Sequence, residues 1–303
     1  MKKVLVIAGP TAVGKTALSI QLAQRFDGEI ISGDSMQIYR QLDIGTAKVT
    51  AEEKKGIRHH LIDICEIGDS YSVADFQTQA RQKIEEIYHR GHLPILVGGT
   101  GLYIQSLLYD YQLGALQQDP TIRQKYEAFA QKEGSQALFE LLQKKDPLAA
   151  EKIHRNNQRK VIRALEVMEA TGQSILAPQK TPEKLYDNFM IGLTTERSVL
   201  YERINQRVEQ MMQNGLMAEA EFLRKNPDSQ AAKGIGYKEF FPYFAGEQTL
   251  AETTALIKRN SRRYAKRQLT WFNNRMSFRW FDLLANPQVL VDIENEVAQW
   301  LEV

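Results

Sequence analysis

Gly9-Pro10-Thr11-Ala12-Val13-Gly14-Lys15-Thr16 has the spacing G-x-x-x-x-G-K-T of a phosphate-binding loop. Its glycines allow the backbone to curl until successive N–H groups face one anion. A helix that starts at the end of the loop adds the positive end of its dipole. Lys15 supplies a mobile cation and Thr16 a hydroxyl able to hold Mg²⁺. A second constellation is Asp34-Ser35-Met36-Gln37. A carboxylate here can take a proton from a nucleophile or bind a metal, and Asp and Ser are equally good helix caps, so the residues leave both readings open. Gly98-Gly99-Thr100-Gly101 ends a strand in glycines and a threonine where many ATP-hydrolysing phosphate-loop proteins place a metal-orienting Asp, which argues against a motor, GTPase or ATPase. The Thr100 hydroxyl could instead donate to a leaving-group oxygen. Arg203 and Arg207, one helical turn apart, could clamp a diphosphate.

Those residues need a frame that brings them to one place. Lys3–Ala8, Gly28–Asp34 and Leu93–Val97 read as continuous apolar strands, and a helix is predicted from about Ser72 to His89, closed by Gly91. Strands of that kind separated by helices indicate an α/β fold whose parallel sheet is covered on both faces. Ligands of such sheets bind beyond the carboxyl ends of the strands, where the loop, Asp34 and Thr100 all fall. From about Tyr111 strand signals vanish until Phe189–Leu193. The expected organisation is therefore a core of residues 1–110 and 187–303 with a helical insertion of residues 111–186. In the last third, Ala265, Leu269 and Phe272 mark an inward face of one helix, while Arg259, Arg262 and Lys266 form a basic stripe suited to phosphate backbone or to plain solvation. Arg159 and Arg163 make a smaller basic face beside Val161 and Leu165.

The composition bounds the partners. A hydrophobic content of 43% and charged content of 25% fit a globular protein with a sizeable core, and a net charge of +2 leaves any nucleic-acid contact to local patches. One cysteine, Cys65, excludes an internal disulfide and fits a cytoplasmic location. No apolar run approaches a membrane span. His59-His60 would point to opposite sides of a strand, which favours a structural role over a metal site.

The phosphate loop together with Asp34-Ser35-Met36-Gln37-Ile38-Tyr39-Arg40, Asp43-Ile44-Gly45-Thr46-Ala47-Lys48, His59-His60-Leu61-Ile62-Asp63, Tyr71-Ser72-Val73-Ala74-Asp75-Phe76 and Val97-Gly98-Gly99-Thr100-Gly101-Leu102-Tyr103 resembles the tRNA isopentenyltransferase family. Arg163–Val167 and Tyr264–Phe272 extend the likeness over nearly the whole chain. The sequence departs from the family pattern at His154-Arg155-Asn156-Asn157, where His-Pro-Asn-Asp is usual, and at Asn273, where Arg is usual.

The resemblance implies a phosphate-loop NTPase-like core and transfer of a dimethylallyl group from dimethylallyl diphosphate to N6 of adenosine 37 in the anticodon stem-loop of tRNA. It implies Mg²⁺ as cofactor, with Thr16 as its ligand, and a cytoplasmic monomer. By the same carry-over Gly9 to Thr16 and Arg207 hold the diphosphate, Asp34 accepts the N6 proton and Thr100 supports the bridging oxygen. Asp34, Ser35, Met36, Gln37, Thr100, Arg123, Gln158, Arg159, Lys160, Val161 and Ile162 then contact tRNA, joined by Arg262 and Lys266 from the basic helix. Two other classes remain open on the residues alone. One is a small-molecule kinase on the same core, against which the basic helix argues. The other is a binding module for RNA without catalysis, against which the loop, Asp34 and Thr100 in series argue.

Overall fold

The structure is a computed structural model and describes residues 1–111, 120–177 and 182–303. The chain divides into two compact units, residues 1–110 with 184–303, and residues 111–183.

The first unit opens with β1 (Lys3–Ala8), α1 (Lys15–Arg25), β2 (Gly28–Ser32), β3 (His59–His60), α2 (Val73–His89), β4 (Leu93–Gly98) and α3 (Gly101–Leu108). The second unit carries α4 (Pro120–Lys145), α5 (Pro147–Lys152) and α6 (Gln158–Thr171). The chain then completes the first unit with β5 (Asp187–Leu193), α7 (Arg197–Gln213), α8 (Leu216–Leu223), α9 (Phe240–Phe244), α10 (Leu250–Arg275), β6 (Arg279–Phe281) and α11 (Val289–Glu302).

The strands form one sheet in the order β3-β2-β4-β1-β5-β6, and every pair is parallel. The architecture is the expected α/β core with helices around a parallel sheet. Alternation explains the unbroken apolar strands. Val4, Val6 and Ala8 face one layer of the core with Ile31 and Leu96, while Leu5 and Ile7 face the other with Ile30, Ile95 and Ile191. Each face is covered, so after Lys3 polar positions have no place on β1.

Local chemistry sets the element ends. Ser72 accepts the N–H of Asp75, whose carboxylate returns a bond to the Ser72 N–H, a reciprocal cap that starts α2. Thr249 and Glu252 repeat this at α10. The two-residue β3 enters the sequence reading only as the strand on which His59 and His60 point to opposite sides, and the three-residue β6, too short to show any periodicity, is passed over.

The second unit has its own core of Tyr126, Leu138, Leu142, Val161, Ile162 and Leu165. Gly134, at φ 88°, breaks α4 into two helical pieces. Buried Asp146 caps α5 through the N–H of Ala149 and accepts a bond from the Ser174 hydroxyl.

Candidate active site

The loop between β1 and α1 is held in shape by its conformation. Gly14 has φ 101°, and Ala12 also lies in the left-handed region at φ 66°. With no side-chain cap on α1, the N–H groups at its start are available to an anion. Lys15 curls back over the loop and donates from Nζ to the carbonyls of Gly9 (3.1 Å) and Pro10 (2.7 Å). Burial, and after it the charge of Arg207, lower its pKa to about 8 against the opposing charge of Asp34. The Arg207 guanidinium on α7 is likewise lowered by burial, with Asp34 raising it and Arg203 lowering it. Arg203 ties α7 to the loop through Nε to the Ala12 carbonyl at 2.9 Å. Lys15, Arg207 and Asp34 thus share one electrostatic environment, with Arg207 reaching it from the middle of α7.

Asp34 follows β2. One oxygen, Oδ1, accepts the N–H groups of Met36 (2.8 Å) and Gln37 (3.4 Å) and so shapes the turn. Among the described residues Oδ2 has no hydrogen-bond donor. Capping and chemistry, alternatives in the sequence, are here divided between two oxygens of one side chain. Thr100, at the start of α3, accepts the Ser35 N–H at 3.3 Å. The Tyr264 hydroxyl lies beside Thr100 and Gln268, and burial, with the charge of Asp34, pushes its pKa up to about 12.

The sequence reading misses Gln268. It is 6% exposed and bridges two loops, accepting the Thr11 N–H through Oε1 (3.0 Å) and donating from Nε2 to the Gly99 carbonyl (3.0 Å). A signal existed: Gln268 is a polar residue on the inward face of α10, between Ala265 and Phe272. Those two are fully buried, as expected, and Leu269 is half-buried.

The segment after Asp34 is also tied down. Gln37 receives a bond from the Ser32 hydroxyl (3.0 Å) and donates to the carbonyls of Thr46 (3.2 Å) and Ala47 (3.4 Å). Glu219 on α8 accepts the N–H groups of Asp43 (2.7 Å), Ile44 (2.7 Å) and Gly45 (3.0 Å) as well as the Tyr237 hydroxyl (2.9 Å). Lys48, buried at its side chain, bridges Asp43, Asp63 and the Tyr39 carbonyl. Thr16 and Gln37 both line a cavity of ≈ 30 Å³, together with Ser19, Ser32 and His59.

His59 and His60 are structural. His60 Nε2 lies 2.6 Å from Glu29, which also receives two bonds from Arg90 (2.9 and 2.7 Å). Burial pushes Glu29 up, but the hydrogen bonds and charges of Arg90 and His60 outweigh it and bring the pKa to about 2. No group of three or more His, Cys, Asp or Glu among the described residues could hold a metal. Beside Lys15, the Thr16 hydroxyl at the exposed start of α1 is a suitable donor. That fits an ion shared with a bound diphosphate, since Mg²⁺ is commonly held largely by substrate oxygens and water.

The basic residues fall into two groups. On α10, Arg262 donates to Asn205 Oδ1 at 2.6 Å and lies over the Tyr201 ring, whereas Arg259 and Lys266 are exposed. In the second unit, Arg123 is paired with Glu127 (3.0 Å) and Glu166 (3.5 Å). Asn157 caps α6, Arg159 and Lys160 are exposed, and the side chains of Val161 and Ile162 are buried in that unit's core.

A loop of phosphate-binding pattern at the carboxyl end of a parallel sheet, flanked by a carboxylate, a threonine and a half-buried arginine, defines an α/β enzyme of the phosphate-loop class. The IPP transferase family model matches residues 37–275, and the chain belongs to that family. It is 63% identical over 304 residues to the tRNA dimethylallyltransferase of Enterococcus faecalis, covering 100% of this chain and 98% of the relative. It is 52% identical to that of Limosilactobacillus reuteri, with 100% of both chains covered. Among solved structures it resembles the full-length tRNA isopentenylpyrophosphate transferase of Bacillus halodurans (TM-score 0.76, 50% identity, 100% and 97% covered). It also resembles a eukaryotic dimethylallyltransferase described as acting on tRNA (TM-score 0.84, 31% identity, 99% and 80% covered).

Proposed function

We propose that the chain transfers a dimethylallyl group from dimethylallyl diphosphate to N6 of adenosine 37 of tRNA. Transfer of this group to tRNA is the activity named for its relatives. The observation that supports the finer reading is the state of Asp34, whose Oδ1 is held by the turn while Oδ2 is uncommitted within the field of Lys15 and Arg207.

The bond from C1 of the donor to the bridging oxygen breaks, and a bond from C1 to N6 forms. Charge grows on the departing diphosphate, where the N–H groups of Val13 to Thr16, Lys15 and Arg207 stabilise it. The proton lost from N6 passes to Asp34 Oδ2. Thr100, oriented by the Ser35 N–H, is the hydroxyl for the bridging oxygen. Mg²⁺, held by Thr16 and the donor's own oxygens, would add charge neutralisation at the diphosphate. The target base has to leave its stack to reach N6. Ser35 and Met36 frame the acceptor side, and Gln37, already bonded on both ends of its amide, contributes a rigid edge. In the second unit exposed Arg159 and Lys160, with Gln158 at the start of α6, are the groups suited to RNA phosphates, while Arg123, Val161 and Ile162 support them from the ion-pair network and core. The protein acts in this reading as a monomer in the cytoplasm, and no helix among the described residues is long and apolar enough to cross a membrane.

The test is incubation with labelled dimethylallyl diphosphate and unmodified tRNA, and separately with labelled ATP and small hydroxylated metabolites. Label is expected in adenosine 37 of the tRNA. Transfer of phosphate from ATP to a metabolite, with none of the prenyl label in tRNA, overturns the reading in favour of a kinase.

A further inference from the structure

The first residues of the phosphate loop are closed to anions. Pro10 has no N–H. The N–H of Thr11 is taken by Gln268 Oε1, and the carbonyls of Gly9 and Pro10 are gathered under Lys15 Nζ. This end of the loop therefore presents acceptor oxygens. The donors left to a ligand lie toward the start of α1, where the helix dipole also draws negative charge. In phosphate loops of nucleotide-binding proteins a chain of phosphates follows the backbone N–H groups, with the lysine reaching the outermost pair. A third phosphate extending along this loop toward Thr11 meets a buried carboxamide. To enter, it must displace Gln268 and break that side chain's bonds to both Thr11 and Gly99.

A second observation points the same way. A side chain at position 98 would have its Cβ 2.3 Å from the Gly33 carbonyl oxygen, and one at position 99 would meet Gln268 Nε2 at 2.1 Å. The strand end that would carry a metal-orienting carboxylate for phosphoryl transfer is thus filled, at position 99 by Gln268 itself.

We infer that Gln268 sets the length of the phosphate chain this loop accepts, admitting a diphosphate and rejecting a triphosphate. It is a specificity-determining residue of the donor site, and the inference rests on the reading that the loop holds the donor's diphosphate. Cells hold nucleoside triphosphates that would otherwise compete for such a loop, and Gln268 excludes them by an acceptor placed where a third phosphate would sit.

The experiment is calorimetric titration of the full chain with inorganic pyrophosphate and with inorganic tripolyphosphate in magnesium buffer. The parent is expected to bind pyrophosphate at least about tenfold more tightly. Gln268→Met keeps the side chain's length and removes the acceptor, so the ratio of the two affinities should fall to within about threefold. A purely structural role for Gln268 would weaken both ligands together and leave the ratio unchanged, which overturns the inference. Gln268→Glu keeps an acceptor at Thr11 and adds negative charge while losing donation to Gly99, so its ratio should rise above the parent's. A ratio that falls in Gln268→Glu, whether or not Gln268→Met folds, assigns the effect to the Gly99 bond and overturns the inference. A parent that binds neither ligand, or binds both equally well after Lys15→Ala, overturns the donor-site reading and the inference with it.

Discussion

Asp34 shows how one residue carries two duties that sequence alone leaves as rivals. Asn at this position keeps an oxygen for the N–H groups of Met36 and Gln37 but cannot take a proton. Asp34→Asn should therefore fold normally and bind both substrates, while its single-turnover prenylation falls by roughly a hundredfold or more. Rapid-quench measurement checks this, and a near-parental rate removes Asp34 from the chemistry. Lys15 makes a different claim at the same scale. Its pKa of about 8 in the free site rises when a diphosphate arrives, because an anion favours the charged form. Below that pH Lys15 is already charged, and binding needs no proton. Above it each binding event takes up one proton, and affinity for dimethylallyl diphosphate should fall by up to about tenfold per pH unit. Calorimetry at pH 9 in buffers of different ionisation enthalpy reads the proton directly. Lys15→Met should bind weakly and without this slope.

The elements place these residues, and their placing is where sequence reading succeeds and stops. The loop, Asp34 and Thr100 were legible because each follows a strand directly, and a parallel sheet brings strand ends together. Gln268 and Glu219 were not, because what they touch lies far away along the chain. Nothing in the local pattern of α8 says that Glu219 will gather three consecutive N–H groups of residues 43–45. The basic stripe of α10 was legible as composition, but Arg262 turns toward Asn205 instead of joining Lys266 in solvent. Glu219 fixes the segment against which Gln37 leans. Glu219→Gln keeps one acceptor oxygen but turns the other into an amino group facing N–H and hydroxyl donors, and should cost about 1–3 kcal/mol of stability. Hydrogen exchange should show the amides of Asp43, Ile44 and Gly45 losing protection first. Unchanged protection there would mean that the segment holds its shape without α8.

At the scale of the whole molecule, the net charge of +2 hides a local division of labour among cations. Some are ion-paired or bonded within the fold, as are Arg123 and Arg262, and others are exposed, as are Arg159, Lys160 and Lys266. Only charges that meet RNA phosphates release counterions. Replacing Arg159 and Lys160 with Ala should lower the log–log salt slope of tRNA affinity by about one to two units. Lys266→Ala should lower it by about one, and Arg262→Ala should leave it unchanged. Filter binding across a salt series separates these outcomes, and a slope that moves only with Arg262 would reverse the assignment.

The departure and return of the chain around the second unit are stapled side by side. Leu185 donates its N–H to the Leu108 carbonyl at 3.0 Å, and Tyr109 pairs with Lys184 in a single antiparallel bridge. What lies between is, to the first unit, one long loop whose ends are already joined. The entropy of closing such a loop grows only with the logarithm of its length, about 0.6 kcal/mol for each doubling. The first unit is thus nearly indifferent to how much chain is spliced in at this point. Exchanging residues 111–183 for a short Gly-Ser linker should leave a core that still binds pyrophosphate but no longer captures tRNA.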